Sequence, residues 1–254
     1  MAANLKDLDA FLKTYLEIDR IPDYPPALNG LQVANHSGEV TRMAAAVDAC
    51  LPVIESAAAA GAQLLLVHHG LFWNGIQPIR DAAYQKLKTA FDHDLAIYSA
   101  HIPLDVHPDL GNNALLTRAL GLTEVEPFFE WKGIQLGLRG RWEGSREALR
   151  EKLSTAVGGS PVHLSPGGPE SVRDVGVITG GAGGEVAAMA REGIDTFITG
   201  EGPHHTYALA EECGINLLYG GHYATETFGV KALTEKLAND FSLDHLFIDH
   251  PSGL

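Results

Sequence analysis

Leu5, Leu8, Phe11, Leu12, Tyr15 and Leu16 recur at spacings of three and four, the apolar stripe of an amphipathic helix that packs on a sheet. Pro22, Pro25 and Pro26 end that helix, and Asn29-Gly30 turns the chain into a strand through Leu31-Gln32-Val33. The pattern then changes. Apolar runs at Met43 to Val47 and Gln63 to Val67 flank an Ala-rich helical stretch, Leu51 to Ala60, closed by Gly61 at a C-cap position. Strand, helix, strand favours parallel pairing through a right-handed crossover. A strand at Leu95 to Ser99, a proline-bearing loop and a helix around Asn112 to Leu120 follow.

Half of this pattern occurs twice. With Gly61 set on Gly193 (193 − 61 = 132), Met43 to Gly70 lies without a gap on Val175 to Gly202. The first copy ends Leu66-Val67-His68-His69 and the second Ile198-Thr199-Gly200-Glu201, so each carries a ligand-type residue just past its second strand. A second correspondence (219 − 98 = 121) sets Tyr98-x-x-His101-x-x-x-Asp105 on Tyr219-x-x-His222-x-x-x-Glu226. The expected fold is therefore α/β, two similar domains made by internal duplication, with polar residues where they meet.

Composition narrows the class. The 254 residues, 45% hydrophobic and 20% charged, are ordinary for a globular chain with one large core or two smaller ones. The stretch Ala62 to Val67 falls well short of the ~20 apolar residues a membrane helix needs, and no basic start leads into an apolar run, so a cytoplasmic protein with no membrane partner is expected. A net charge of −14, from 18 Lys and Arg against 32 Asp and Glu with no densely basic window, argues against nucleic-acid binding. Cys50 and Cys213 are too few for a disulfide framework, lack thiolate-site spacing and read as small core residues.

The chemistry follows from position. Strand C-terminal ends form the ligand crevice of open α/β sheets, and His68-His69, His101 and His222 each follow a predicted strand. His222 and Glu226 leave one face of a helical turn and can grip one ion. His101 and Asp105 share that spacing, with Pro103 suiting a loop or first helical turn. The adjacent histidines act together only beyond the strand end, because neighbouring strand residues point to opposite faces. Imidazoles favour first-row transition metals and carboxylates bridge paired ions, which makes Asp105 and Glu226 the natural shared ligands. Glu201, His204 and His205 form a further group that can touch substrate or support the ligands. His36, His93, His107, His163, His245 and His250 lack a partner pattern and read as surface residues. Gly180-Gly181-Ala182-Gly183-Gly184 lacks a Walker lysine and reads as a tight turn, and no Gly-x-Ser-x-Gly elbow occurs.

Five motifs in order also resemble a family: Asn29-Gly30-Leu31-Gln32-Val33, Val67-His68-His69-Gly70-Leu71-Phe72-Trp73, Tyr98-Ser99-Ala100-His101-x-Pro103-Leu104-Asp105, Thr199-Gly200-Glu201 and Gly221-His222-Tyr223-Ala224-Thr225-Glu226. They are similar to those of the NGG-one-interacting-factor-three-like proteins, also labelled GTP cyclohydrolase type-two homologues. The resemblance implies two interlinked α/β domains, residues 1–124 with 220–254 and residues 125–219, with the metal site at their junction. It implies two divalent ions per chain (Zn, Fe, Mn or Co) on His68, His69, Asp105, His222 and Glu226, with His101 as a further ligand or supporting residue. A toroidal hexamer, a trimer of dimers, is expected. The label implies metal-dependent hydrolysis of a nucleotide-like substrate, with Glu201 or His205 moving a proton. The competing reading is a non-enzymatic scaffold for metal storage, delivery or regulation.

Overall fold

The apolar run at Gln63 to Val67 becomes the middle of a five-stranded sheet. In a computed structural model describing residues 2–75 and 77–254, the strand Leu64–His69 lies between Arg42–Asp48 and Ala96–Ser99, parallel to both. Asp244–Phe247 adds in parallel beside Arg42–Asp48, and Gly30–Val33 adds antiparallel beside Ala96–Ser99. A central strand covered on both faces needs an unbroken apolar run, and Leu64, Leu65, Leu66 and Val67 are all fully buried.

Helices cover this sheet for local reasons. Leu51–Ala59 has a proline in its first turn, where the missing N–H costs nothing. It ends with Gly61 at φ +70° and Ala62 N–H bonded to Ala57 O (3.1 Å), a Schellman closure that needs a left-handed residue. Its Val53, Ile54 and Ala57 pack with Val33, Leu65, Val67 and Ile97 in one core. The N-terminal helix is Leu5–Tyr15, capped by Asn4 Oδ1 on Lys6 N–H (2.9 Å), with Leu5, Leu8 and Leu12 buried. Its Phe11 meets Phe241 of the helix Thr227–Phe241 edge to face at 5.4 Å.

The chain divides into two compact units. One runs as far as Leu104 and takes back Gly229–His250; the other is Asp105–Phe228 with Pro251–Leu254. Residues 105–124, 220–228 and 251–254, grouped with the first domain on sequence, fall here with the second unit. Asn112–Leu120 explains part of the shift, because its Leu116 and Leu120 are buried in a core with Leu149, Leu153 and Val175.

The second unit has a six-stranded sheet. Its order is Thr123–Trp131, Ile134–Ser145, Ser171–Val177, Thr196–Thr199, Asn216–Tyr219 and His163–Pro166, with the third, fourth and fifth parallel. Alternation along the strand sends Phe197 and Ile198 into different cores on the two faces.

The two units repeat one register. Met43 pairs with Leu64 and Val175 with Thr196, and both partners are related by the same 132-residue shift. The second correspondence misses by one: Leu66 pairs with Tyr98, while the equivalent Ile198 pairs with Leu218, and Tyr219 sits opposite Thr199. Tyr98 and Tyr219 therefore do not occupy equivalent rungs. Among the described residues no helix is long and apolar enough to cross a membrane.

Phe197 is fully buried in the second unit. Phe197→Ala should lower the unfolding free energy by about 3–5 kcal/mol in urea titration, through lost burial and a residual cavity. A loss below ~1 kcal/mol would mean that this core collapses around the gap.

Candidate metal centre

The first candidate site is built at the end of the strand Leu64–His69. Pairing with Ala96–Ser99 stops at Val67, whereas Arg42–Asp48 continues to pair Asp48 with His69. His68 and His69 thus belong to the strand, contrary to the expectation that they act together only beyond its end. With strand pairing on one side alone, they bring their rings to 4.8 Å between centroids. His101, just before the helical turn Ile102–Asp105, completes the group at 4.8 Å from His68 and 5.5 Å from His69.

Each ring is fixed through Nδ1. His68 Nδ1 donates to Ala100 O (2.9 Å), His69 Nδ1 to Asp48 Oδ1 (2.8 Å) and His101 Nδ1 to Asp23 Oδ1 (2.9 Å). A carbonyl or carboxylate oxygen only accepts, so the proton of the neutral ring sits on Nδ1 and the lone pair on Nε2. One ligand atom from each of the three lies within 4.8 Å of the others. Three oriented imidazoles of this kind fit a divalent transition metal, and the anchoring oxygens are the usual partners of metal-bound histidines.

The support of His101 explains the Asn29 motif. Asn29 Oδ1 accepts the His101 backbone N–H (2.7 Å), while its Nδ2 donates to Asp23 Oδ2 (2.7 Å), which also accepts from Ile102 N–H (3.0 Å). Burial alone would raise the Asp23 pKa. The hydrogen bond and charge of His101, with the Asn29 and Tyr24 bonds, outweigh that and hold the carboxyl below its ordinary value. Gln32 ties the loop after the histidine pair: its Oε1 accepts Leu71 N–H (2.7 Å) and its Nε2 donates to Ala27 O and Leu28 O. A Cβ at Gly70 would stand 2.2 Å from Gln32 Nε2, so any larger residue there would displace the amide that makes these bonds.

The second unit holds its own ligand pair. His222 opens the helical turn His222–Thr225, and its Nε2 lies 3.2 Å from Glu226 Oε2, four residues on. Its Nδ1 is 2.9 Å from Glu201 Oε1, so this ring too is anchored by a carboxylate. The backbone is packed to make room. Gly180, at φ +71°, has no space for a Cβ, which would stand 2.1 Å from Glu226 Oε1; a Cβ on Gly200 would stand 2.6 Å from His222 Cα. Asp105, buried, accepts from Asn112 Nδ2 (2.8 Å) and lies 3.4 Å from Thr179 Oγ1. Asp105 and Glu226 therefore flank the adjacent residues Thr179 and Gly180. Burial disfavours the His222 cation, but hydrogen bonds to and charges of Glu226 and Glu201 prevail and raise its pKa to about 9.

The sequence signature of Duf34/NIF3 (NGG1p interacting factor 3) matches residues 3–252. The chain belongs to this family. A relative from Deinococcus radiodurans, named GTP cyclohydrolase 1 type 2 homolog, is 40% identical over 250 residues, 98% of this chain and 94% of its own length. An Escherichia coli K12 relative of the same name is 37% identical over 97% of this chain and 98% of its own. Among solved structures, the protein ybgI, described as of unknown function, has a TM-score of 0.91 at 35% identity, covering 99% of this chain and all of its own. Reduced HcgD from Methanocaldococcus jannaschii has a TM-score of 0.87 at 27% identity, covering 98% of this chain and 99% of its own.

Within this family member, the sequence reading missed the supporting acids. Asp23 and Asp48 lie 78 and 21 residues from the histidines they orient, and neither has a spacing that marks it. The glycine run, read as a tight turn, also supplies the gap for Glu226. Glu201 orients His222, whereas His205 is exposed at the start of the helix Thr206–Cys213. His107, expected on the surface, is buried, and its Nδ1 accepts the N–H groups of Asp109 and Leu110 (both 3.2 Å), fixing the turn before Asn112.

Two measurements test this arrangement. The extra proton of His222 must leave before its Nε2 can bind a cation, so Zn affinity at this half should climb from about pH 7 towards the His222 pKa of about 9 and level above it, at most ~tenfold per pH unit. Calorimetric titration giving a flat profile would contradict it. Asp23→Asn should weaken binding at the His68, His69 and His101 group by ~10–100-fold through loss of ring orientation, and unchanged affinity in competition with a chelator would remove Asp23 from the site.

Proposed function

We propose that the chain is a dinuclear metal protein and a metal-dependent hydrolase acting on a nucleotide-like substrate. The observation that carries this reading is that all four histidines have Nδ1 held by an oxygen, leaving Nε2 as the metal-facing donor. His68, His69, Asp105, His222 and Glu226 are the proposed ligands of two divalent ions, of the Zn, Fe, Mn or Co type, with His101 a further donor. The donor sets differ. A histidine-only group and a group of one histidine with carboxylates would hold the ions with unequal affinity.

When bound, paired divalent ions supply Lewis-acid charge stabilisation and a lowered water pKa. The residues of the chain do the rest. Asp23, Asp48, Glu201 and the Ala100 carbonyl hold the imidazoles in one tautomer, and Asn112 holds the Asp105 carboxylate. The relatives' name, GTP cyclohydrolase 1 type 2 homolog, supports a nucleotide-like substrate. The engagement of Glu201 with His222 leaves the exposed His205 as the one remaining proton shuttle of the two first considered, which favours a second reading: a metal-storage, metal-delivery or regulatory scaffold. As a homo-oligomer, the protein is proposed to assemble as a hexamer, a trimer of dimers, in the cytoplasm.

Purified protein should carry close to two divalent ions per chain by elemental analysis, and His68→Ala or Glu226→Ala should remove at least one. Nucleotide turnover should track metal content, and Asp105→Asn should abolish it with the circular dichroism spectrum unchanged. Metal-free protein after reconstitution would sink both readings, whereas full metal with no turnover across a nucleotide and phosphoester panel would leave the scaffold.

A further inference from the structure

A cleft of about 490 Å³ opens in the second unit beside the strand His163–Pro166 and the start of the helix Thr206–Cys213. Its volume lies within the range of small-molecule sites. Two aromatic pairs line it. His163 and Tyr219 are nearly parallel, with ring centroids 6.3 Å apart and 20° between planes, and His204 and Tyr207 are tilted at 5.3 Å. Tyr207 is 45% exposed, presenting a ring to solvent at the cleft.

The polar groups are few. Thr206 Oγ1 donates to Pro203 O (2.6 Å), so in its bond with Tyr219 it accepts the phenol proton, leaving the tyrosine oxygen as an acceptor. Glu211 is the one charged side chain of the lining, and neither Lys nor Arg is present. A phosphate would meet no cation here. A flat ring carrying N–H groups would find π-faces to stack on and a carboxylate to accept its edge. Gly202 lines the cleft directly after Glu201, the residue that orients His222, so the cleft lies one residue from the ligand support.

We propose that this cleft binds an amino-substituted purine ring, stacked on Tyr207 with its N–H edge turned to Glu211 and its phosphates outside. The identity of the ring rests on the nucleotide reading above; the cleft itself stands on its lining.

Guanosine, which has no phosphate, is the probe, titrated calorimetrically into metal-loaded protein with purine riboside, which lacks the edge N–H groups, alongside. Wild type should bind guanosine more tightly than purine riboside. Tyr207→Ala, at a half-exposed position the fold tolerates, should weaken both by about 5- to 150-fold, the loss of one stacking contact. Glu211→Gln should weaken guanosine alone, and neither variant should change metal content. Guanosine binding without any turnover would support the cleft while removing the hydrolase reading. Turnover of nucleotides with an unchanged KM in Tyr207→Ala, or no guanosine binding at millimolar concentration, would overturn the cleft.

Discussion

A hydrogen bond from imidazole Nδ1 to a fixed oxygen recurs at all four candidate histidines, and the chemistry of each ligand group depends on it. An unanchored ring can rotate about its side-chain bonds and exchange tautomers, so its lone pair has no fixed direction. Here the acceptors are two aspartates, a glutamate and a main-chain carbonyl. One of these carboxylates is itself held: Asp23 accepts from Asn29 and from the amide of Ile102. Fixing a ligand by what stands behind it keeps the donor set assembled at little entropic cost when a cation arrives.

The second constraint is backbone proximity. Glu226 is buried, and its carboxylate occupies the space a side chain on Gly180 would fill; Gly200 allows the strand end to pass within contact of His222. These glycines account for two stretches of sequence, Thr199-Gly200-Glu201 and the run starting at Gly180, by one physical requirement. A left-handed φ at Gly180 and the missing Cβ serve the same carboxylate.

Elements and local side-chain pairings could be read from sequence where the signal was local. The Gln63 to Val67 run made a central strand, Gly61 closed its helix, and His222 with Glu226 met through one turn of helix, because periodicity and i to i+4 spacing are short-range properties. Asp23 and Asp48 were invisible because their roles come from the tertiary approach of segments far apart in sequence. The histidine pair was misjudged for a subtler reason. Strict alternation holds for a strand paired on both sides, and Leu64–His69 loses one neighbour after Val67. A shared spacing suggests that Tyr98 and Tyr219 are equivalent, yet hydrogen-bond pairing sets the register and differs by one rung.

The net charge of −14 takes on a different meaning beside these bonds. Acidity read from composition suggests solubility or general attraction for cations, and both are diffuse effects that salt screens. The acids that matter here are few and placed. Asp23 and Glu226 are nearly inaccessible, and Asp23 and Glu201 each face a histidine nitrogen. In the metal-free chain the His222 proton balances part of that buried negative charge, since Glu226 and Glu201 together hold its pKa near 9. A divalent cation held by His222 would put a larger charge at the same nitrogen in place of this proton. The pocket that stabilises the protonated ring is thus already arranged, in sign and in direction, for the metal that would displace the proton.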